Sequence, residues 1–496
     1  MQTEHRGPRP ALRRGLNIWE AIGISVALMA PSMAANINPQ ATAGSVGRAV
    51  PLAFALATVG VLLVAYAFVR LCQHFHHAGS VYGFVGATLG ARAGLVAGWA
   101  LLGTYTFYGV VTSMAAGIFG SSFLAEIGVW AHPPSWAPFL LGALALLGVF
   151  ALTVTPVRAG TRILLSVEAA TVVLILIVSA VVLVKLLTGG APGGRTFTLD
   201  VFSVPSGTQT STLFLGVVFG FLSFAGFEAA ATLGEEARHP RRDIPRAILG
   251  TAIFGGIYFV TVTAIEMMGF GTDTAGVAAF AGSGSLLGDL GSTYIGAWVG
   301  DLITIGAAIS AFGCALACAV GASRLAYAFS RDGVGPARLA TVSARRGTPH
   351  FAATAVVAAM YVIIAVDALV FGAKPFDVFL WSGTIGTLIL LVAYALTIVG
   401  AMRLLFFGGR RLAPWAEIVI PVLALLVIGY TLYRNVLPYP TGAAAWFPVV
   451  CAVWLLSAVV FVVVRPATAR RAGRRLTAEA GLSQSGVDGS GVHSVR

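Results

Sequence analysis

Apolar stretches of about 20 residues recur twelve times along this chain, and little else in it is long enough to build a fold. They lie near 17 to 37, 50 to 71, 93 to 120, 136 to 156, 163 to 187, 211 to 234, 245 to 270, 294 to 329, 351 to 372, 376 to 402, 413 to 433 and 443 to 464. A helix of that length spans the hydrocarbon layer, about 30 Å thick. In lipid every backbone N–H and C=O must be satisfied within the chain itself, which leaves helices or closed barrels. The runs are too long for barrel strands, so the expected fold is an all-α polytopic membrane protein of about 12 transmembrane helices. Composition agrees: 10% of residues are charged and 57% hydrophobic, whereas a soluble domain is about 25% charged.

The net charge of +12 would fit a nucleic-acid partner, so the placement of the basic residues decides. With the amino terminus on the cytoplasmic side, 26 of the 31 Lys and Arg fall in inner segments. Arg48, Lys185, Arg195, Lys374 and Arg434 alone fall in outer ones. That alternation follows the positive-inside rule. It predicts a multi-pass protein of the cytoplasmic membrane with both termini inside, and no nucleic-acid partner. Reading Arg13 and Arg14 with the following apolar run as a cleaved signal would leave an odd helix count. Cys72, Cys314, Cys318 and Cys451 show no metal-type spacing and read as small packing residues. His74, His76 and His77 read as interfacial anchors in an inner loop. No cofactor, metal or catalytic constellation is expected.

Residues 15–465 form one domain in this reading, with 1–14 and 466–496 as polar cytoplasmic tails, the second flexible. Two spans are interrupted. The first carries Ala30-Pro31-Ser32-Met33-Ala34, where Pro31 removes a backbone donor; the sixth carries Ser223-Phe224-Ala225-Gly226-Phe227-Glu228. Both interruptions fall about fourteen residues into their spans, at the head of two successive sets of five, a placement that matches an inverted repeat around a midplane site. The repeats would be 17–187 and 211–402, followed by two further helices within 413–464.

From Gly220 the chain runs Gly-Phe-Leu-Ser-Phe-Ala-Gly-Phe-Glu, then Gly234-Glu235-Glu236, Arg238-His239-Pro240 and Ile244-Pro245-Arg246-Ala247-Ile248. This resembles the signature of the amino acid-polyamine-organocation family. Ala78-Gly79-Ser80-Val81-Tyr82 through Gly98-Trp99 is similar to that family's lead into the third span. Arg324, Ser330-Arg331-Asp332-Gly333, Pro336 and Thr348-Pro349 are similar to the end of its eighth span. The resemblance implies a leucine-transporter-type 5+5 inverted repeat plus two helices, and a secondary transporter of amino acids or related amines working by alternating access. Proton-coupled symport or exchange is the expected mode. A non-transporting amino acid sensor and an amine- or polyamine-selective carrier stand as alternatives, while a membrane enzyme is not supported.

In that fold the substrate lies between the broken helices. Unpaired amides at residues 31–34 (Pro31, Ser32, Met33, Ala34) would receive a carboxylate, and bare carbonyls at Ser223 through Gly226 an ammonium group. Ala30 and Phe221, Phe224 and Phe227 complete the expected substrate site. Most relatives carry Gly-x-Gly in the first break; its absence here leaves carboxylate recognition open. Ionisable residues inside spans need a reason to be there. Glu228 reads as a proton carrier or a structural acceptor, and Glu168 as part of the ion pathway or as a partner of an inner basic residue. Thr171 matches the position of a lysine that some sodium-independent relatives use. Asp301 reads as shallow. Glu235, Glu236, Arg241, Arg242, Arg331 and Asp332 read as a solvated inner loop or a gate of ion pairs.

Overall fold

The computed structural model describes residues 17–75, 81–155, 159–233, 237–343, 348–409 and 411–479, and among these all regular structure is helical. Ten helical segments are long and apolar enough to cross a membrane; Ile18–His74 runs through two of the sequence's spans, and Ala137–Thr153 is a shorter apolar helix. Among the described residues each of the twelve spans is thus mainly helical.

The first half comprises α1 (Ile18–Met29), α2 (Pro31–Val46), α3 (Val50–His74), α4 (Val81–Leu89), α5 (Ala91–Glu126), α6 (Ala137–Thr153) and α7 (Ala159–Thr188). The second comprises α8 (Leu213–Phe224), a 3-10 turn (Ala229–Leu233), α9 (Pro240–Phe270), α10 (Thr274–Ala281), α11 (Leu286–Tyr294), α12 (Ala297–Arg331), α13 (His350–Leu369) and α14 (Pro375–Phe406). Then follow α15 (Val419–Val436), α16 (Trp446–Val464) and α17 (Pro466–Glu479). Each half opens with a broken helix. Each also sets a short helix, α4 or α11, before a long one, α5 or α12, with Gly90 or Gly296 at the joint. The two short helices lie on opposite sides of the bundle, as inverted topology requires. We call the side where α1 begins the near side.

Local chemistry sets the first break. Asn17 and Glu20 close a capping box at the start of α1. At the other end Ala30 takes a left-handed conformation (φ 47°, ψ 55°), which costs a residue with a Cβ about 1–2 kcal/mol. Pro31 then opens α2 at a position where its missing N–H is no loss. The second break has Gly226 at φ 109°, a conformation that favours glycine.

Small residues bring the helices close. A Cβ on Gly220 would lie 2.3 Å from the Ala57 Cβ, and one on Gly255 within 2.8 Å of both Met29 and Phe224. Such close backbone approach is how helices pack where lipid supplies no hydrophobic drive. Val59, Leu144, Ile177, Ile257, Leu302 and Val463 are each at least half exposed; in water so much apolar surface would be a liability, but in a bilayer it faces acyl chains.

The ends differ from expectation. Pro466–Glu479, read above as part of a flexible tail, is a helix docked on α4 and α5 through Ala469, Ala472, Gly473 and Leu476. Its arginines hide this stripe from a span-length hydropathy window, but the i, i+3, i+4, i+7 spacing makes one apolar face.

Candidate functional site

The two breaks touch: a Cβ on Gly226 would meet the backbone and Cβ of Leu28 at 3.1 to 3.2 Å. Beside this contact lies a cavity of about 250 Å³, near the lower end of small-molecule pockets. Met33 and Ala225 line it at the breaks, and Val81, Tyr82 and Thr232 carry it toward the near side. Its walls come from α5 (Thr104, Tyr105, Tyr108, Thr112) and α12 (Cys314, Cys318, Gly321). Gly321 leaves room for the Tyr105 ring, which lies 3.2 Å from where a Cβ would sit. Among the described residues Glu228 is the one carboxylate on the lining, which holds no lysine, arginine or histidine.

On the far side α2 is tied to the α11 region. Asn36 of α2 accepts from the Ser285 hydroxyl and the Leu287 amide of α11, each at 2.9 Å. Gln40 donates to the Ser283 carbonyl at 2.7 Å. At the near side α4 is the symmetry counterpart of α11, and there Tyr82 faces the cavity.

The amides at 31–34 are not available to a ligand. Ser32 N–H donates to the Glu168 carboxylate at 2.9 Å and Met33 N–H to the Ser310 hydroxyl at 3.3 Å. Ala34 N–H bonds to the Ala30 carbonyl at 2.9 Å. A carboxylate from α7 thus occupies the positive end of α2, where a substrate carboxylate was expected. Both Ser32 and Glu168 are buried, and among the described residues no basic residue pairs with Glu168. Of residues 30–34 only Met33 reaches the cavity.

At the second break Ala225, Gly226 and Glu228 line the cavity. Glu228 accepts from the Gly226 amide at 3.2 Å and lies beside the Tyr394 hydroxyl. Ser223 instead clamps α2 to α8, accepting from Asn38 at 2.7 Å and donating to the Phe219 carbonyl at 2.8 Å. The three phenylalanines pack away from the cavity. Phe221 fills the notch at Gly60, Phe224 stacks edge-on with Phe259, and Phe227 packs on Phe68 and Tyr394.

Thr171 is packed against Gly306 and donates to the Val167 carbonyl at 2.9 Å. Asp301 is half-buried near the far end of α12. The Arg331–Asp332 pair exists and gains a third member: Arg475 of α17 donates to Asp332 at 2.8 Å, and the Asp332 side chain is fully buried. Arg241 and Arg242 are exposed in the first turn of α9. Glu235, Glu236, His76 and His77 lie outside the described residues. His74 has its Nδ1 2.8 Å from the Arg70 carbonyl.

Sequence reasoning missed several residues. Cys314 and Cys318, read as packing thiols, line the cavity, and Cys314 donates weakly to the Leu28 carbonyl. Their four-residue spacing on one helix face was the available signal. Glu266 of α9 was not singled out, although it is fully buried and neither carboxyl oxygen has a partner among the described residues.

Comparison with known proteins agrees with this architecture. The branched-chain amino acid permease BcaP of Bacillus subtilis is 28% identical over 318 residues, covering 62% of this chain and 65% of that protein, just under two thirds of its length. The low-affinity putrescine importer PlaP of Escherichia coli is 26% identical over 334 residues, 66% of this chain and 69% of that one. An uncharacterized transporter of Mycobacterium tuberculosis is 29% identical over 408 residues, 81% and 83% of the two chains. A crystal structure of the Eremococcus coleocola manganese transporter superposes with a TM-score of 0.53 at 13% identity, covering 93% of this chain and 98% of that one; at that identity the likeness concerns the fold. The description "Amino acid permease" matches residues 21–476, nearly the whole of a multi-pass, broken-helix bundle, and the chain belongs to the amino acid permease family.

Proposed function

We propose that this protein is a secondary carrier for small amines and amino acids with apolar side chains, gripped mainly by the ammonium group. The observation that carries the reading is Glu228, the one carboxylate among the described residues lining a cavity of otherwise apolar, hydroxyl and thiol groups at the meeting of two helix breaks. A cation there gains the carboxylate and the negative carboxyl end of α1. Met29, Met33, Leu101, Val111 and Leu222 would cover an apolar body. Because Glu168 and Ser310 hold the Ser32 and Met33 amides, the substrate's own carboxylate is expected to add little.

Access alternates in this reading. The Asn36 and Gln40 bonds to the α11 region close one side while the cavity reaches toward the other, which the charge alternation makes the cytoplasmic side. Glu228 serves as the proton carrier, exchanging a proton for the substrate ammonium during each cycle. Relatives described as a branched-chain amino acid permease and a putrescine importer bracket this substrate range. The test is thermal stabilisation of the purified protein by amino acids and by the amines that lack their carboxyl groups, followed by uptake of the binders into proteoliposomes. Amines should bind within about tenfold of the parent amino acids, since a compensated group is worth about 1.4 kcal/mol or less. Binding confined to carboxylate-bearing ligands would overturn the recognition mode, and binding without uptake would make the protein a sensor.

A further inference from the structure

The near-side face carries a second concave site that the transport reading does not use. Between α17 and the start of α5 lies a cleft of about 520 Å³, lined by Arg92, Arg470, Arg471, Arg474 and Arg475 with Pro466 and Ala467. A smaller lobe of about 230 Å³ shares Arg92, Arg470 and Arg474. Among the described residues no carboxylate lines either one. Arg475 is held by Asp332. Arg92, Arg470, Arg471 and Arg474 are exposed and have no ion pair among the described residues. Four uncompensated guanidinium groups around one cleft repel one another, and planar forks of donors of this kind bind phosphate oxygens in pairs.

We propose that this cleft binds the phosphate headgroup of an anionic phospholipid. The cleft begins where α16 ends, and the last two turns of α16 expose Val459, Val460, Val463 and Val464, the final pair at 72% and 69%. A headgroup seated among the arginines would therefore lay its acyl chains along a ready apolar face. Free phosphate would use the arginines and leave that face to other lipids. A basic amphipathic helix at a membrane surface gains about 1 kcal/mol per Arg from anionic lipid. The opposite face of α17 is already committed: a Cβ on Gly473 would lie 1.8 Å from the Ala91 carbonyl oxygen, and one on Gly86 2.0 Å from the Thr477 hydroxyl. An occupied cleft thus holds α17 against α4, the helix whose Tyr82 faces the transport cavity.

The experiment measures thermal stabilisation of the detergent-purified, full-length protein by phosphatidylglycerol, phosphatidylcholine and inorganic phosphate, for wild type and for the R470Q/R471Q/R474Q variant. Phosphatidylglycerol should stabilise the wild type by several degrees, and the other two should not. The variant should bind phosphatidylglycerol about 100-fold more weakly, about fivefold per arginine. Should the triple variant not fold, Arg92→Gln approaches the cleft from α5 and should weaken binding about fivefold. Equal stabilisation by the two lipids, or an unaltered response in the variants, would overturn the site. A response to inorganic phosphate matching that to phosphatidylglycerol would overturn the lipid assignment in favour of a free-anion site.

Discussion

Ser32 and Glu168, 136 residues apart in sequence, are joined by a 2.9 Å hydrogen bond from the Ser32 amide to the Glu168 carboxylate. The bond fills with protein the place where a half-helix would otherwise offer its amides to a substrate anion. Glu168→Ala should therefore lower stability by about 1.5–3 kcal/mol, the range for a hydrogen bond to a charged group. It should also shift ligand preference toward molecules that carry a carboxylate. Glu168→Gln, which keeps an acceptor, should lose less. Parallel thermal-shift titrations with an amine and its parent amino acid check both effects.

Gly226 is the point at which the second break meets the first. Its φ of 109° and the 3.1 Å approach to Leu28 leave no comfortable place for a methyl group. Gly226→Ala is expected to cost about 1–3 kcal/mol and to abolish saturable ligand binding while the helical content by circular dichroism is kept. Unchanged ligand affinity would show that the two breaks do not need to touch.

The cavity contains two thiols that report on its occupancy. Cys314 and Cys318 line it, whereas Cys72 and Cys451 are buried elsewhere. In a Cys72→Ser, Cys451→Ser background, maleimide labelling should slow several-fold when a saturating substrate is present. Labelling from the near side should also be faster than from the far side, where Asn36 and Gln40 tie α2 to the α11 region. Equal labelling with and without substrate would move the binding site elsewhere.

At Gly473 the docking of α17 rests on an absent side chain. Gly473→Ala would press a methyl group into the Ala91 backbone and, by overpacking, is expected to weaken docking by about 1–3 kcal/mol. Limited proteolysis within Arg470–Arg475 should then accelerate, because the cleavage-competent population rises with the loss of docking energy.

Much of the architecture was legible before any coordinates. Span length and the breaks at Pro31 and Gly226 are local signals, each tied to backbone chemistry that any neighbour must accept. The site was less legible because its decisive contacts are long-range. Nothing near Ser32 announces that Glu168 will take its amide. Phe221, Phe224 and Phe227 share a spacing of three, which reads as one aromatic face, yet the chain turns at Ala225 and sends the rings to Gly60, Phe259 and Phe68. The tyrosines and cysteines of α5 and α12 become a wall only when those helices cross. In α17, arginines on one face masked an apolar stripe on the other.

Glu228 carries the central claim, and pH-driven uptake measures it most directly. Proteoliposomes containing wild type or Glu228→Gln would be loaded with buffer, and accumulation of a labelled amine substrate followed with and without an imposed pH gradient. The wild type should respond to the gradient, and Glu228→Gln should lose that response by at least about tenfold while the purified variant keeps its fold. Gradient-driven accumulation by Glu228→Gln equal to that of the wild type would contradict the account.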